Sequence, residues 1–284
     1  MTIVCVVAAC VLLATTAATA SEVEATAPAP AESSQADSSQ VDPMVTHPIA
    51  SYPWRRRILD ARTTANNRRG KIGFAIVDEQ GNMRGGYRVD QRFRSASVVK
   101  TMFMICYLNR ANTRNRALTS YDRNLLAPMI KSSNDAAANR VWGMISTSCL
   151  HRIARQTGMR NFSTGSVWGK TQITPAGTAR MFFRVDRLVT ARHRPYARSL
   201  LASIVRSQRW GIPPVKPDGF VIRFKGGWSP SPSGHVANQG AMLEKGSRRF
   251  SIVVLTDGSP THNYGTETIR RVARKLMWSY HNYG

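Results

Sequence analysis

The chain has 284 residues and is 42% hydrophobic, so it can bury the core of one or two domains. Its forty Lys and Arg residues outnumber sixteen Asp and Glu residues, and the resulting net charge of +24 would attract polyanions. No helix-turn-helix, RNA-recognition or zinc-finger pattern accompanies this charge, and we therefore exclude nucleic acid as an expected partner.

The N-terminal segment predicts export. Residues 1–20 are almost entirely apolar and end in A-T-A, which is typical of a signal peptide cut after Ala20. An uncleaved anchor is the alternative, and lipidation at Cys10 ranks below simple secretion. Residues 21–48 are rich in Ser, Ala and Pro, with five acidic and no basic residues, and are expected to be a disordered tether. We expect a secreted or envelope-associated protein whose domain, residues 49–284, carries every basic residue.

The domain begins with a helix and a hairpin. Helical spacing runs from Trp54 to Asn67, and the β-rich stretch 71–89 turns at Asp78–Asn82. Helical periodicity then dominates a region of about 95–215, in the segments 98–109, 121–131, 136–145, 149–157 and 174–189. The remaining elements are three strands and a final helix, in 220–225, 235–243, 249–256 and 266–280.

This order predicts an α+β fold. An antiparallel sheet of about five strands would be built from both ends of the chain, flanked by the terminal helices, with the helical region inserted between its two parts. The seam between sheet and helical region is the expected place for a pocket.

Cysteine and histidine give no sign of a metal site. Cys106 and Cys149 remain once the signal is removed, and they form either one disulfide or two buried thiols. The six histidines lack ligand spacing, so neither a metal nor another cofactor is expected.

A serine and a lysine stand three residues apart in F-R-S-A-S-V-V-K. On a helix, Ser97 and Lys100 would share a face, and a desolvated lysine can accept the proton of a serine nucleophile. The plainer interpretation is a polar N-terminus of a core helix.

Two further motifs strengthen the catalytic interpretation. In K-S-S-N-D, we expect Ser132 to relay a proton to the leaving group and Asn134 to bind the substrate's peptide group, although a helix N-cap is the alternative. In F-K-G-G-W, Lys225 would hold a substrate carboxylate and polarise Ser132. Gly226, Gly227 and Trp228 would then form the substrate-binding strand edge, with a backbone N–H completing an oxyanion hole with that of Ser97.

Together these motifs resemble the S-x-x-K, S-x-N and K-T-G boxes of the penicillin-recognising serine hydrolases, the superfamily of class A β-lactamases and DD-peptidases. The resemblance spans about residues 50–284 and extends to T-Q-I-T-P-A-G-T-A-R-M-F and V-A-N-Q-G-A-M-L-E. The segment S-Q-R-W-G-I-P ahead of K-G-G-W is most similar to secreted serine hydrolases of actinobacteria.

The chain departs from that superfamily in two places that affect function. Class A β-lactamases use a glutamate between the second and third boxes to release the acyl group, and residues 136–185 contain no Asp or Glu. Gly226 stands where the superfamily carries a Thr or Ser hydroxyl that helps bind a carboxylate. Acylation followed by slow release is therefore expected for β-lactams.

The resemblance implies a secreted, monomeric serine hydrolase or acyltransferase, with Ser97 acylated and Lys100 as its base. Its substrate would be a cell-wall peptide or a β-lactam-like amide, and its basic surface would contact anionic envelope polymers. Two alternatives stay open. One is a β-lactamase that deacylates without the usual glutamate, and the other is a non-catalytic envelope-binding protein.

Overall fold

The computed structural model of the protein describes residues 52–283. The predicted signal peptide, the acidic tether and Cys10 lie outside these residues. No helix within 52–283 combines the length and apolar character needed to span a membrane.

Five antiparallel strands form the main sheet: Lys71–Val77 (β1), Met83–Tyr87 (β2), Val221–Ser231 (β5), Gly234–Lys245 (β6) and Arg248–Ser259 (β7). They lie in the order β2-β1-β7-β6-β5. The two-residue strands β3 (Phe93–Arg94) and β4 (Gln172–Ile173) pair with each other in a second small sheet. The predicted antiparallel sheet and α+β class are confirmed.

The two parts of the main sheet join where β1 pairs with β7, from Lys71 opposite Asp257 to Val77 opposite Ser251. Residues of β6 and β7 are buried almost without interruption, because helices cover both faces of the sheet. The N-terminal and C-terminal helices pack on one face and a helix of the inserted region packs on the other.

The helices of the described chain are α1 (Trp54–Asn66), α2 (Lys100–Leu108), α3 (Ser120–Lys131), α4 (Asp135–Met144), α5 (Thr147–Gln156), α6 (Pro175–Phe183), α7 (Val185–Leu188), α8 (Arg194–Ala202) and α9 (His262–Leu276). Several begin at the caps their sequences favour. Thr119 and Asp122 form a reciprocal capping box on α3, and the Thr174 hydroxyl accepts from the N–H of Gly177 ahead of α6.

Some predicted bounds were wrong. The helix expected over 174–189 is two helices, because Arg184 leaves helical geometry between α6 and α7. The final helix begins at His262 and ends at Leu276, and α8 was not predicted. The strand expected to end at Lys225 continues to Ser231, since Pro230 lies on an edge strand, where proline is tolerated.

A disulfide joins Cys106 on α2 to Cys149 on α5. It ties the helix that begins at Lys100 to its neighbour in the inserted region. Of the two states that the sequence left open, the structure therefore contains the bridge.

Candidate active site

Ser97 lies in a 3₁₀ turn, Ala96–Val99, that leads directly into α2. The side-chain amide of Asn238 on β6 donates to the carbonyl of Arg94 at 2.6 Å and fixes the backbone that enters the turn. Ser97 is 9% exposed and lines a cavity of about 300 Å³ at the seam between sheet and helical region. The turn thus presents a single hydroxyl to a small cavity in the predicted place.

Lys100 is fully buried one turn along the chain from Ser97. Its Nζ donates to the carbonyl of Ser133 at 2.5 Å and to Oδ1 of Asp135 at 2.7 Å, and lies 3.4 Å from Oγ of Ser133. The ring of Trp168 lies over the amino group, with its centroid 4.9 Å from Nζ of Lys100. Burial lowers the pKa of Lys100 below its ordinary value, and the Asp135 carboxylate partly opposes that shift.

The second motif sits one residue further along than the sequence predicted. The exposed Ser132 donates to the carbonyl of Pro128 at 3.0 Å and stays outside the buried cluster, whereas Ser133 places its hydroxyl beside both lysines. Ser133 has a φ of 62°, and this left-handed residue reverses the chain between α3 and α4. The structure therefore corrects the prediction for Ser132: the hydroxyl that lies beside the two lysines belongs to Ser133.

The same one-residue offset moves Asn134. Its side-chain oxygen accepts from the N–H of Ala137 at 2.8 Å, so the residue caps α4. Asn134 does not line the cavity, but Asp135 does. The residue expected to bind the substrate's peptide group is thus a helix cap, and a carboxylate occupies the position expected for an amide.

Lys225 approaches the cluster from β5. Its fully buried Nζ donates to Oγ of Ser133 at 3.0 Å and to the carbonyl of Gly226 at 2.8 Å. Burial and the neighbouring charge of Lys100 lower the pKa of Lys225 to about 7. One hydroxyl therefore lies between two lysines whose burial favours their neutral forms.

The residues after Lys225 form the wall opposite α2. A Cβ added to Gly227 would lie 2.6 Å from the backbone nitrogen of Ser97, so only glycine allows this contact. A Cβ at Gly226 would lie 3.1 Å from the ring of Trp210. This ring occupies the space next to the position where the superfamily carries a Thr or Ser hydroxyl. Trp228 is 39% exposed, lines the cavity and stacks edge-on against Trp210.

Sequence reasoning missed three residues of this site: Ser133, Asp135 and Trp168. The signal for Asp135 was available, since it is the last acid before a long stretch without any. Of the described residues that line the cavity, Asp135 alone is acidic, while Arg94 and Lys170 are basic. The described chain holds no cluster of three or more His, Cys, Asp or Glu side chains suited to a metal.

Comparison with known proteins agrees with this geometry. A model described as the beta-lactamase enzyme family matches residues 122–280, which include Ser133 and Lys225 but begin after Ser97 and Lys100. Among curated proteins, none matches the chain.

Solved structures show the same fold. A β-lactamase from Sphaerobacter thermophilus DSM 20745 is 18% identical with a TM-score of 0.68, covering 82% of this chain and 100% of that one. A class A β-lactamase from Mycobacterium abscessus is 19% identical with a TM-score of 0.65, covering 79% and 99%. An ancestral class A β-lactamase is 17% identical with a TM-score of 0.66, covering 79% and 100%.

Proposed function

The chain belongs to the beta-lactamase enzyme family, and on that premise we propose that it is a serine hydrolase that works through an acyl group carried on Ser97. The observation that carries the proposal is the continuous contact from Lys100 through the hydroxyl of Ser133 to Lys225, beside a cavity that Ser97 lines. A serine hydroxyl needs such a proton acceptor before it can attack an amide carbonyl.

The proposed acylation uses each of these groups in turn. Neutral Lys100 takes the proton of Ser97 as Oγ bonds to the carbonyl carbon. The N–H groups of Ser97 and Trp228 bind the oxygen that becomes negative. When the carbon–nitrogen bond breaks, Ser133 gives its proton to the leaving nitrogen and recovers one from Lys100, while Lys225 holds the hydroxyl in place.

Peptidoglycan peptides or related amides are the proposed substrates. The absence of Asp and Glu from 136–185 supports slow release of β-lactam acyl groups, because no residue of that segment can serve as a carboxylate base. The Trp210 ring beside Gly226 replaces a hydroxyl with an apolar surface, which favours a substrate without a carboxylate at that position. Export, proposed from residues 1–20, would bring the protein to such substrates.

A β-lactamase with an unusual deacylation route is the second candidate. The observation that favours it is the carboxylate of Asp135 in the same cavity as Ser97. The two candidates share acylation of Ser97 and differ in how fast a β-lactam acyl group leaves.

The test combines a fluorescent penicillin with an activated-serine probe, followed by intact-mass measurement on the wild type and Ser97→Ala. We expect a covalent adduct on the wild type alone. Adduct that persists without nitrocefin turnover would favour the peptidase, and rapid turnover would favour the β-lactamase. Absence of an adduct from both reagents would refute the proposal and leave the envelope-binding protein.

A further inference from the structure

The cavity beside Ser97 contains a carboxylate that the proposed acylation does not use. The side chain of Asp135 is 75% exposed and lines the cavity with Ser97 and Trp168. Its Oδ1 accepts from Lys100 at 2.7 Å. Within residues 52–283, Oδ2 has no hydrogen-bond partner, so it can accept a proton from a water molecule in the cavity.

The surroundings of Asp135 are positively charged. Asp135 is the first residue of α4, where the positive end of the helix dipole favours a negative charge. The charged groups that face it are all basic: Lys100 from α2, Lys225 from β5, Arg94 from β3 and Lys170 from the 3₁₀ turn before β4. A carboxylate that is open to solvent in the same cavity as a serine is arranged as a base.

Two acids further along the chain are engaged elsewhere. Residues 136–185 contain none, and Asp186 forms ion pairs with Arg198 and Arg249. Glu244 joins the same arginine cluster. Asp135 is therefore the acid that the described part of the chain offers to a water in this cavity.

We propose that Asp135 is the general base that activates the water which releases the acyl group from Ser97, an inference that rests on the proposed acylation of that serine. Oδ2 accepts one proton from the water as its oxygen bonds to the acyl carbon. Asp135 passes this proton to neutral Lys100 through their hydrogen bond. As the intermediate breaks its bond to Oγ of Ser97, Lys100 gives the proton to that oxygen, and the acid product leaves with Lys100 neutral again.

The alternative role for Asp135 is purely structural, as the ion-pair partner of Lys100. Both roles need a group that accepts a hydrogen bond from Lys100, and the amide of Asp135→Asn retains that ability while losing the base. Asp218 is an exposed acid outside the cavity, so Asp218→Asn provides a control with the same change of charge.

The experiment measures loss of the acyl group, separated from its formation. Wild type, Asp135→Asn and Asp218→Asn are each labelled with fluorescent penicillin and, separately, with p-nitrophenyl acetate. Excess reagent is removed, and the adduct mass is followed in time at several pH values. Ser97→Ala serves as the blank, and thermal unfolding verifies that each variant is folded.

We expect the adduct of Asp135→Asn to decay about 10²-fold more slowly than that of the wild type, because general base catalysis contributes at least that factor. The wild-type decay rate should fall on acidification, the rate for Asp135→Asn should not, and Asp218→Asn should match the wild type. Equal rates of adduct decay in the wild type and Asp135→Asn would overturn the inference while leaving the proposed acylation intact. Failure of the wild type to form an adduct would instead refute the proposed function.

Discussion

The position of the second motif gives a sharp prediction, because two adjacent serines differ completely in environment. Ser133→Ala removes the hydroxyl that lies 3.0 Å from Nζ of Lys225 and 3.4 Å from Nζ of Lys100. Ser132→Ala removes an exposed hydroxyl that contacts only the carbonyl of Pro128. Each variant deletes one serine hydroxyl, and the two hydroxyls belong to adjacent residues.

The expected losses follow from these contacts. Without the Ser133 hydroxyl, the buried Nζ of Lys225 retains one partner, the carbonyl of Gly226. A lost hydrogen bond between uncharged groups costs about 0.5–1.5 kcal/mol of unfolding free energy, and a lost proton relay slows acylation about 10²- to 10⁴-fold. For Ser132→Ala we expect an unchanged acylation rate and a stability within about 0.5 kcal/mol of the wild type.

A third variant separates the relay from the backbone. Ser133 has a left-handed φ of 62°, which glycine adopts without strain. Ser133→Gly should therefore lose as much activity as Ser133→Ala while being more stable by about 1 kcal/mol. Acylation is followed by fluorescent penicillin labelling and stability by urea unfolding. Loss of acylation in Ser132→Ala with normal rates in both Ser133 variants would refute the assignment.

Three further predictions concern the wall, the disulfide and the buried lysine. Gly227→Ala should abolish acylation, because its Cβ would lie 2.6 Å from the backbone nitrogen of Ser97. The control Gly143→Ala should acylate normally, since no atom lies within 4 Å of the new Cβ. Equal acylation rates in the two variants would contradict the close approach of Gly227 to Ser97. Replacing both Cys106 and Cys149 by alanine should cost about 4 kcal/mol, as expected for a bridge between residues 43 apart, and reductant should lower the thermal midpoint of the wild type but not of the variant. Because the folded pKa of Lys225 is about 7 and its ordinary value is 10.5, the unfolded chain binds more protons between these values, so the unfolding free energy should rise with pH across that window. Urea titrations should show a smaller rise for Lys225→Met, and an equal rise would contradict the burial argument.

The architecture was predictable because its signals are local and repeated. The helix at Trp54–Asn66, the first hairpin and the three C-terminal strands follow from apolar periodicity, and pairing of β1 with β7 buries apolar residues of both strands. The helix α8 was missed, and its nine residues give only about two turns of pattern.

The active site was predictable only in part. Ser97 lines the cavity, and Gly227 packs against its backbone nitrogen. Lys100 and Lys225 both lie beside the hydroxyl of Ser133. The error at the second motif came from one left-handed residue, because a serine at positive φ is uncommon and Ser132-Ser133 offers two equivalent hydroxyls.

The role of Asp135 was hidden by the same error. If Ser132 were the first residue of the motif, Asn134 would be its third, and the cavity would contain an amide. Asp135 would then lie just beyond the motif. With Ser133 as the start, the acid faces Lys100. A shift of one residue thus changes the charge of the site and supplies the carboxylate that residues 136–185 lack.

The central claim is that Ser97 carries the acyl group, and locating the adduct tests it most directly. The protein is labelled with fluorescent penicillin, quenched in acid and digested, and the modified residue is identified by peptide mass spectrometry. The account predicts penicilloyl mass on Ser97 in the wild type and none on that peptide in Ser97→Ala. Label on another residue, or equal labelling of both proteins, would contradict it.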